Sequence, residues 1–306
     1  MRLYPHIHKG LINKVKGYSH LPLKKISFIA ILLTINLLIG TQWSYACTCW
    51  AVAGEYVEGG GTLIAKNRDY LPQKNEIRLT IPETGYIYLG LYPIKDQGEQ
   101  GIVAGINEKG LAVVSMTAGS IPSSRRHVGK NIISHILSSY VSVDEAIKDE
   151  NIFSKTHPSF YMMADNTRIA LVEIGPDGTF SIRNTDNGIL FHTNHYTDEK
   201  FLVFNEKISK SSQIRLNRIG ELLKSHPSYF TIEDFIIFSE DRINGPNNSI
   251  WRTGDSHVKK RTLASWIISI PKTGSSEIYV KIANPGEPER FYNMKLDKPF
   301  WTNGLE

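Results

Sequence analysis

The 306-residue chain carries 35 Lys and Arg against 30 Asp and Glu, a formal net charge of +5, with only two cysteines. The basic excess is local: Arg2, Lys9, Lys14, Lys16, Lys24 and Lys25 lie before Ala46, leaving 29 basic residues against 30 acidic ones beyond it. That balance excludes the basic stripe a nucleic-acid partner needs, and two cysteines exclude a disulfide framework.

Residues 1–46 read as a secretory signal. A basic lead is followed by the apolar run Ile26–Gly40 and then by small residues at Ser44 and Ala46, the order a signal peptidase reads. The apolar run is short for a membrane span. Cleavage after Ala46 predicts a secreted or periplasmic protein, with no stable membrane insertion, whose first residue is Cys47. The rival readings are an uncleaved anchor and a lipidated Cys47.

The remaining 260 residues, 47–306, suffice for one domain. Thr48–Ala53 reads as a strand, Gly59–Gly61 as a reversal and Thr62–Lys66 as the returning strand. Further strands are expected at Glu76–Ile81, Tyr86–Tyr92, Gly101–Ile106 and Leu111–Met116. A helix is expected over Val128–Tyr140, continuing at Val143–Lys148. Strands return at Ser159–Ala164, Ile169–Ile174, Thr179–Arg183 and Gly188–His192. Ser211–Leu223 reads as a second helix, and Thr231 caps a third. Ile243–Ser256, polar and containing Gly and Pro, reads as a surface loop. Ala264–Ile270 and Glu277–Ile282 are the last expected strands. The alternation suggests an α+β fold with two sheets between helix layers.

Cys47 is the strongest chemical candidate. A cysteine exposed as residue one brings its own base: the α-amine, with a reference pKa of about 7.7–8, takes the thiol proton. The hairpin returns Asp69 to the neighbourhood of that amine, where a carboxylate orients it. Asn194 follows the Gly188–His192 strand, where an asparagine serves either as a turn residue or as an amide donor. His192 and His195 are too sparse for a zinc site, so no metal and no cofactor is called for. Cys47 and Cys49 also admit a redox reading.

Cys47-Thr48, the glycine turn, Asn67-Arg68-Asp69-Tyr70, Gly105–Leu111 and His192-Thr-Asn-His-Tyr196 together resemble the cysteine N-terminal-nucleophile hydrolases. These include bile salt hydrolases, penicillin V acylases and acid ceramidase-like amidases. The chain is most similar to the acyl-coenzyme A:6-aminopenicillanic acid acyltransferase branch, with its carcinine hydrolase-like members. The resemblance implies a four-layer αββα sandwich of two mainly antiparallel sheets. It implies Cys47 as nucleophile, Asp69 as the carboxylate on the amine, Asn194 as oxyanion donor and Arg215 as the arginine near the thiol, with Arg218 and Arg261 as rivals. Lys66 stands where bile salt hydrolases carry arginine, and Thr117 where they carry asparagine; both are expected to position the substrate or the amine. The implied activity is cleavage of a linear amide bond in a small molecule, by hydrolysis or acyl transfer. A dipeptidase and a non-catalytic envelope binding protein are the alternatives. A homo-oligomer is allowed.

Overall fold

The computed structural model of the chain describes residues 46–94, 101–126, 131–225 and 228–305. The signal expected over 1–46 lies outside them except for Ala46, as do residues 128–130 of the first expected helix.

Two antiparallel sheets form the centre. The first has six strands: β1 (Ala46–Ala53), β2 (Thr62–Tyr70), β10 (Gly188–His192), β11 (Arg261–Ile270), β12 (Ser276–Ile282) and β13 (Arg290–Leu296), ordered β10-β1-β2-β11-β12-β13. The second has seven in sequence order: β3 (Asn75–Thr80), β4 (Tyr88–Pro93), β5 (Ala104–Asn107), β6 (Ala112–Thr117), β7 (Ser159–Ala164), β8 (Ile169–Ile174) and β9 (Phe180–Thr185).

Side-chain alternation along these strands makes three apolar layers. Between the sheets, Cys49, Ala51, Ile64, Trp266 and Ile268 meet Leu89, Ile106, Val114, Phe160 and Met162. On the outer face of the seven-stranded sheet lie α1 (Ile133–Ser139), α2 (Val143–Lys148) and the short α3 (Asn151–Ser154). Their Ile133, Ile136, Leu137 and Phe153 cover Val113, Tyr161 and Val172. On the outer face of the six-stranded sheet lie α4 (Lys210–Ser225) and α5 (Ile232–Ser239), whose Ile219, Leu223 and Phe235 cover Trp50, Leu63 and Ile267. The result is the expected αββα sandwich.

β2 runs four residues past its expected end, which brings Asn67, Arg68 and Asp69 into regular pairing with β1. Besides the short α3, β13 and α7 (Lys298–Asn303) escape the sequence pattern. β13 is an edge strand whose exposed residues, Arg290, Phe291 and Lys295 among them, fall on both faces, so no clean apolar alternation marks it. The expectation of a surface loop over Ile243–Ser256 needs correction. Gly245–Asn248 forms a one-turn helix, α6, and Ser249, Ile250, Trp251 and Arg252 are buried. Ile250 and Trp251 supply the apolar area that pulls this segment inward.

Candidate active site

Alternation along β1 and β2 sorts the candidate residues onto two faces. Cys47 belongs to the layer between the sheets. Its cross-strand partner is Arg68, and that of Cys49 is Lys66, so both cations share the thiol's face, with Cβ atoms about 5 Å across the ladder. Asn67 and Asp69 face the α4–α5 side. Asp69 pairs with Ala46, opposite the residue before Cys47 rather than Cys47 itself.

Cys47 is gripped through its main chain. Its N–H donates to Asn194 Oδ1 at 2.7 Å, and its carbonyl accepts from Arg215 Nη1 at 2.5 Å. Arg215 also donates to Thr48 Oγ1 at 2.7 Å and to Asn194 Oδ1 at 3.1 Å. Asn194 Nδ2 donates to the Thr117 carbonyl at 3.0 Å. These partners fix the amide's orientation: Oδ1 meets two donors and Nδ2 an acceptor, leaving one Nδ2 hydrogen for another partner. Thr117 thus enters through its backbone. Of the arginine candidates, Arg215 is the one whose guanidinium reaches Cys47. Arg218 pairs with Asp241 at 2.7 Å and is partly exposed, and Arg261 lies at the start of β11, half-buried.

The Asn194 loop is held from behind. Glu173 on β8 accepts from His192 Nε2 at 3.0 Å, from Thr197 Oγ1 at 2.6 Å and from the Thr197 and Asp198 amides. His192 Nδ1 faces the Thr193 carbonyl at 2.8 Å. Burial alone would raise the Glu173 carboxyl, but the His192 and Thr197 contacts outweigh it and hold it at about 2. Ser212 Oγ accepts the Asn194 N–H at 3.1 Å and lies 2.8 Å from His195 Nδ1. Burial, with His192 and Arg215 nearby, lowers His195 to about 4. At neutral pH it is uncharged, and it belongs to this loop network.

Asp69 is fully buried. Its Oδ1 accepts from Thr262 Oγ1 at 2.7 Å, and its Oδ2 lies 3.6 Å from Arg252 Nη1 without a hydrogen bond of its own. Burial raises the Asp69 carboxyl, against the pull of Arg252 and Arg215. Arg252 is the residue sequence reasoning missed. Its main chain exchanges hydrogen bonds with Thr262, which sets its guanidinium against Asp69. The signal available was Ile250-Trp251 ahead of it, an apolar pair inside a polar segment.

Lys66 is 1% exposed, and its Nζ donates to the Val103 carbonyl at 2.8 Å and to the Ser115 carbonyl. Burial lowers its pKa, while Cys47 and Cys49 act to raise it. Burial likewise lowers Arg215, to about 10, still charged at neutral pH. The charge balance is lopsided. Lys66, Arg68 and Arg215 are buried beside Cys47, and Arg252 is buried against Asp69. The buried carboxylates among the described residues are Asp69, Asp165 and Glu173. Asp165 caps backbone amides at Val143 and Thr167, and Glu173 serves His192. Asp69 alone answers four cations. Buried charge without a partner is costly, so the site is built to receive negative charge.

Residues 57–286, most of the chain, match the acyl-coenzyme A:6-aminopenicillanic acid acyl-transferase family. The chain belongs to that family. It is an enzyme acting on amide bonds, a hydrolase or acyltransferase. Similar solved structures include two variants of the conjugated bile acid hydrolase from Clostridium perfringens. Each is 14% identical, with a TM-score of 0.49, over 81% of this chain and 92% of that one. No curated protein matches the chain.

A groove of about 840 Å³ lies elsewhere. It is lined by residues such as Lys109, Lys272 and Trp301 at the Ile270 end of β11, away from the Thr262 end beside Asp69. It contains no cysteine or histidine.

Proposed function

We propose that this family member is exported, begins at Cys47 after cleavage behind Ala46, and cleaves small-molecule amides through a thioester on Cys47. The observation that carries the reading is the convergence on one residue. Asn194 and Arg215 bond the Cys47 main chain, Lys66 and Arg68 share its face, and the Asp69–Arg252 pair sits on the other face of the same hairpin, so the site holds far more positive than negative charge.

In this mechanism the freed α-amine takes the Sγ proton, and the sulfur attacks the substrate's carbonyl carbon. Lys66 and Arg68 on the thiol's face favour the thiolate. The second Nδ2 hydrogen of Asn194, with a backbone N–H, donates to the oxyanion. Asp69 steadies the ammonium that results. Collapse of the adduct breaks the C–N bond, and the ammonium returns its proton to the departing nitrogen. Water then attacks the thioester and releases the acid; a second amine in its place gives acyl transfer.

The test is rapid-quench mass spectrometry with a chromogenic acyl anilide. The expected result is one acyl mass, assigned by peptide mapping to Cys47. An acyl group on Cys49, Ser212 or no residue at all would exclude this mechanism.

A further inference from the structure

A thiolate on Cys47 needs only one of the two cations on its face, Lys66 and Arg68, and the Arg68 guanidinium has donors to spare. Arg68 is 6% exposed and stands directly across the ladder from Cys47. Its Nε donates to Asn75 Oδ1 at 2.6 Å and its Nη2 to Gln73 Oε1 at 2.9 Å. The guanidinium carbon lies 5.2 Å from the centre of the Tyr70 ring. Both hydrogen-bond partners are neutral amides, and no carboxylate pairs with Arg68 among the described residues. Nη1 makes no hydrogen bond there. The mount is itself rigid: the Asn75 amide donates to Asn284 Oδ1 at 2.7 Å, and Asn284 Nδ2 returns a bond to the Asn75 carbonyl at 3.1 Å.

The neighbouring Lys66 is likewise held only by carbonyls. A thiolate on Cys47 answers one of these two charges, and the other remains without a counterion. A guanidinium already immobilised by three contacts, with donors to spare, is preorganised for a carboxylate. It binds one with little further loss of side-chain entropy.

We propose that Arg68 anchors a carboxylate on the substrate, so that the amides this enzyme prefers are anionic ones, with the charge a few bonds from the scissile carbonyl. The inference rests on the amidase reading for its location beside Cys47. It names a specificity determinant that the reading does not need.

The experiment uses the exported Cys47→Ala protein and isothermal calorimetry. Two probes are titrated, each against its neutral N-methylamide. Hexanoylglycine carries the carboxylate on the amine side, and the monohexylamide of glutaric acid carries it on the acyl side. At least one acid is expected to bind about tenfold or more tighter than its neutral counterpart. Arg68→Gln is expected to bring that ratio close to one, and Arg68→Lys to retain part of it. Equal binding of acid and neutral forms by both probes overturns the proposal, and that comparison needs no variant at position 68. A ratio unchanged in Arg68→Gln overturns it too. Turnover by the Cys47 protein is read separately. A clear acid preference with no cleavage of any probe would sink the amidase reading and leave the anion site standing.

Discussion

Asn194 shows how much one side chain can be asked to do at this site. Its Oδ1 holds the Cys47 N–H and Arg215, and its Nδ2 is anchored by Thr117 with one hydrogen left over. An oxyanion donor of this kind is worth about 2.7–4 kcal/mol in the transition state. Asn194→Ala is therefore expected to lower kcat by about 10²–10³ with a much smaller change in KM. A loss confined to KM would remove Asn194 from the transition state. At this scale the sequence was informative about identity and less so about direction. Cys47, Asp69, Asn194 and Arg215 are all legible as candidates, and all sit on β1 or around it. Strand parity was the hidden variable. Asp69 approaches from the α4 side, opposite Ala46, and its partners Thr262 and Arg252 come from distant segments. For Arg252 the Ile250-Trp251 pair was the one sequence signal, and it did not reveal the Asp69 partner, which depends on that pair packing inward beside Lys281, whose Nζ sits 4.1 Å from the centre of the Trp251 ring.

The β1–β2 hairpin is the element that makes the site. Its reversal was readable from three consecutive glycines, and the structure shows which one is indispensable. Gly61 has φ +94°, and a Cβ there would lie 2.3 Å from the Ile270 carbonyl oxygen; Gly59, at φ +71°, has open space around it. Gly61→Ala is expected to cost at least about 1–3 kcal/mol of strain, and Gly59→Ala only the left-handed-backbone penalty of about 1 kcal/mol. Urea midpoints for the two variants check this, and equal shifts would contradict the close approach at Gly61. Elements with a buried face on both sides, such as β2 and β11, were readable because nearly every residue is apolar or chemically distinctive. β13 was not, because an edge strand facing solvent needs no such pattern.

For the whole molecule, Glu173 and His195 are buried groups that tie stability to pH in the same direction. Glu173 is held at about 2, below its usual 4.5. Its contribution is complete above about pH 4.5 and lost as pH falls through 2. His195 is held at about 4, below its usual 6.5. A lowered base resists protonation in the folded state, so its contribution is complete above about pH 6.5 and lost as pH falls towards 4. Each step is of the order of 3 kcal/mol. Unfolding midpoints are expected to fall in two stages on acidification below pH 7, with His195→Gln removing the upper one. A flat profile between pH 6.5 and 4.5 would contradict the His195 environment.

Every one of these roles depends on what the chain's first residue is when the enzyme works. Intact-mass and N-terminal peptide analysis of the exported protein measures that directly. The account predicts a chain starting at Cys47 with an unmodified α-amine, and loss of amide cleavage when that amine is acetylated. An N-terminus at any other residue, or a lipid on Cys47 in active protein, would contradict it.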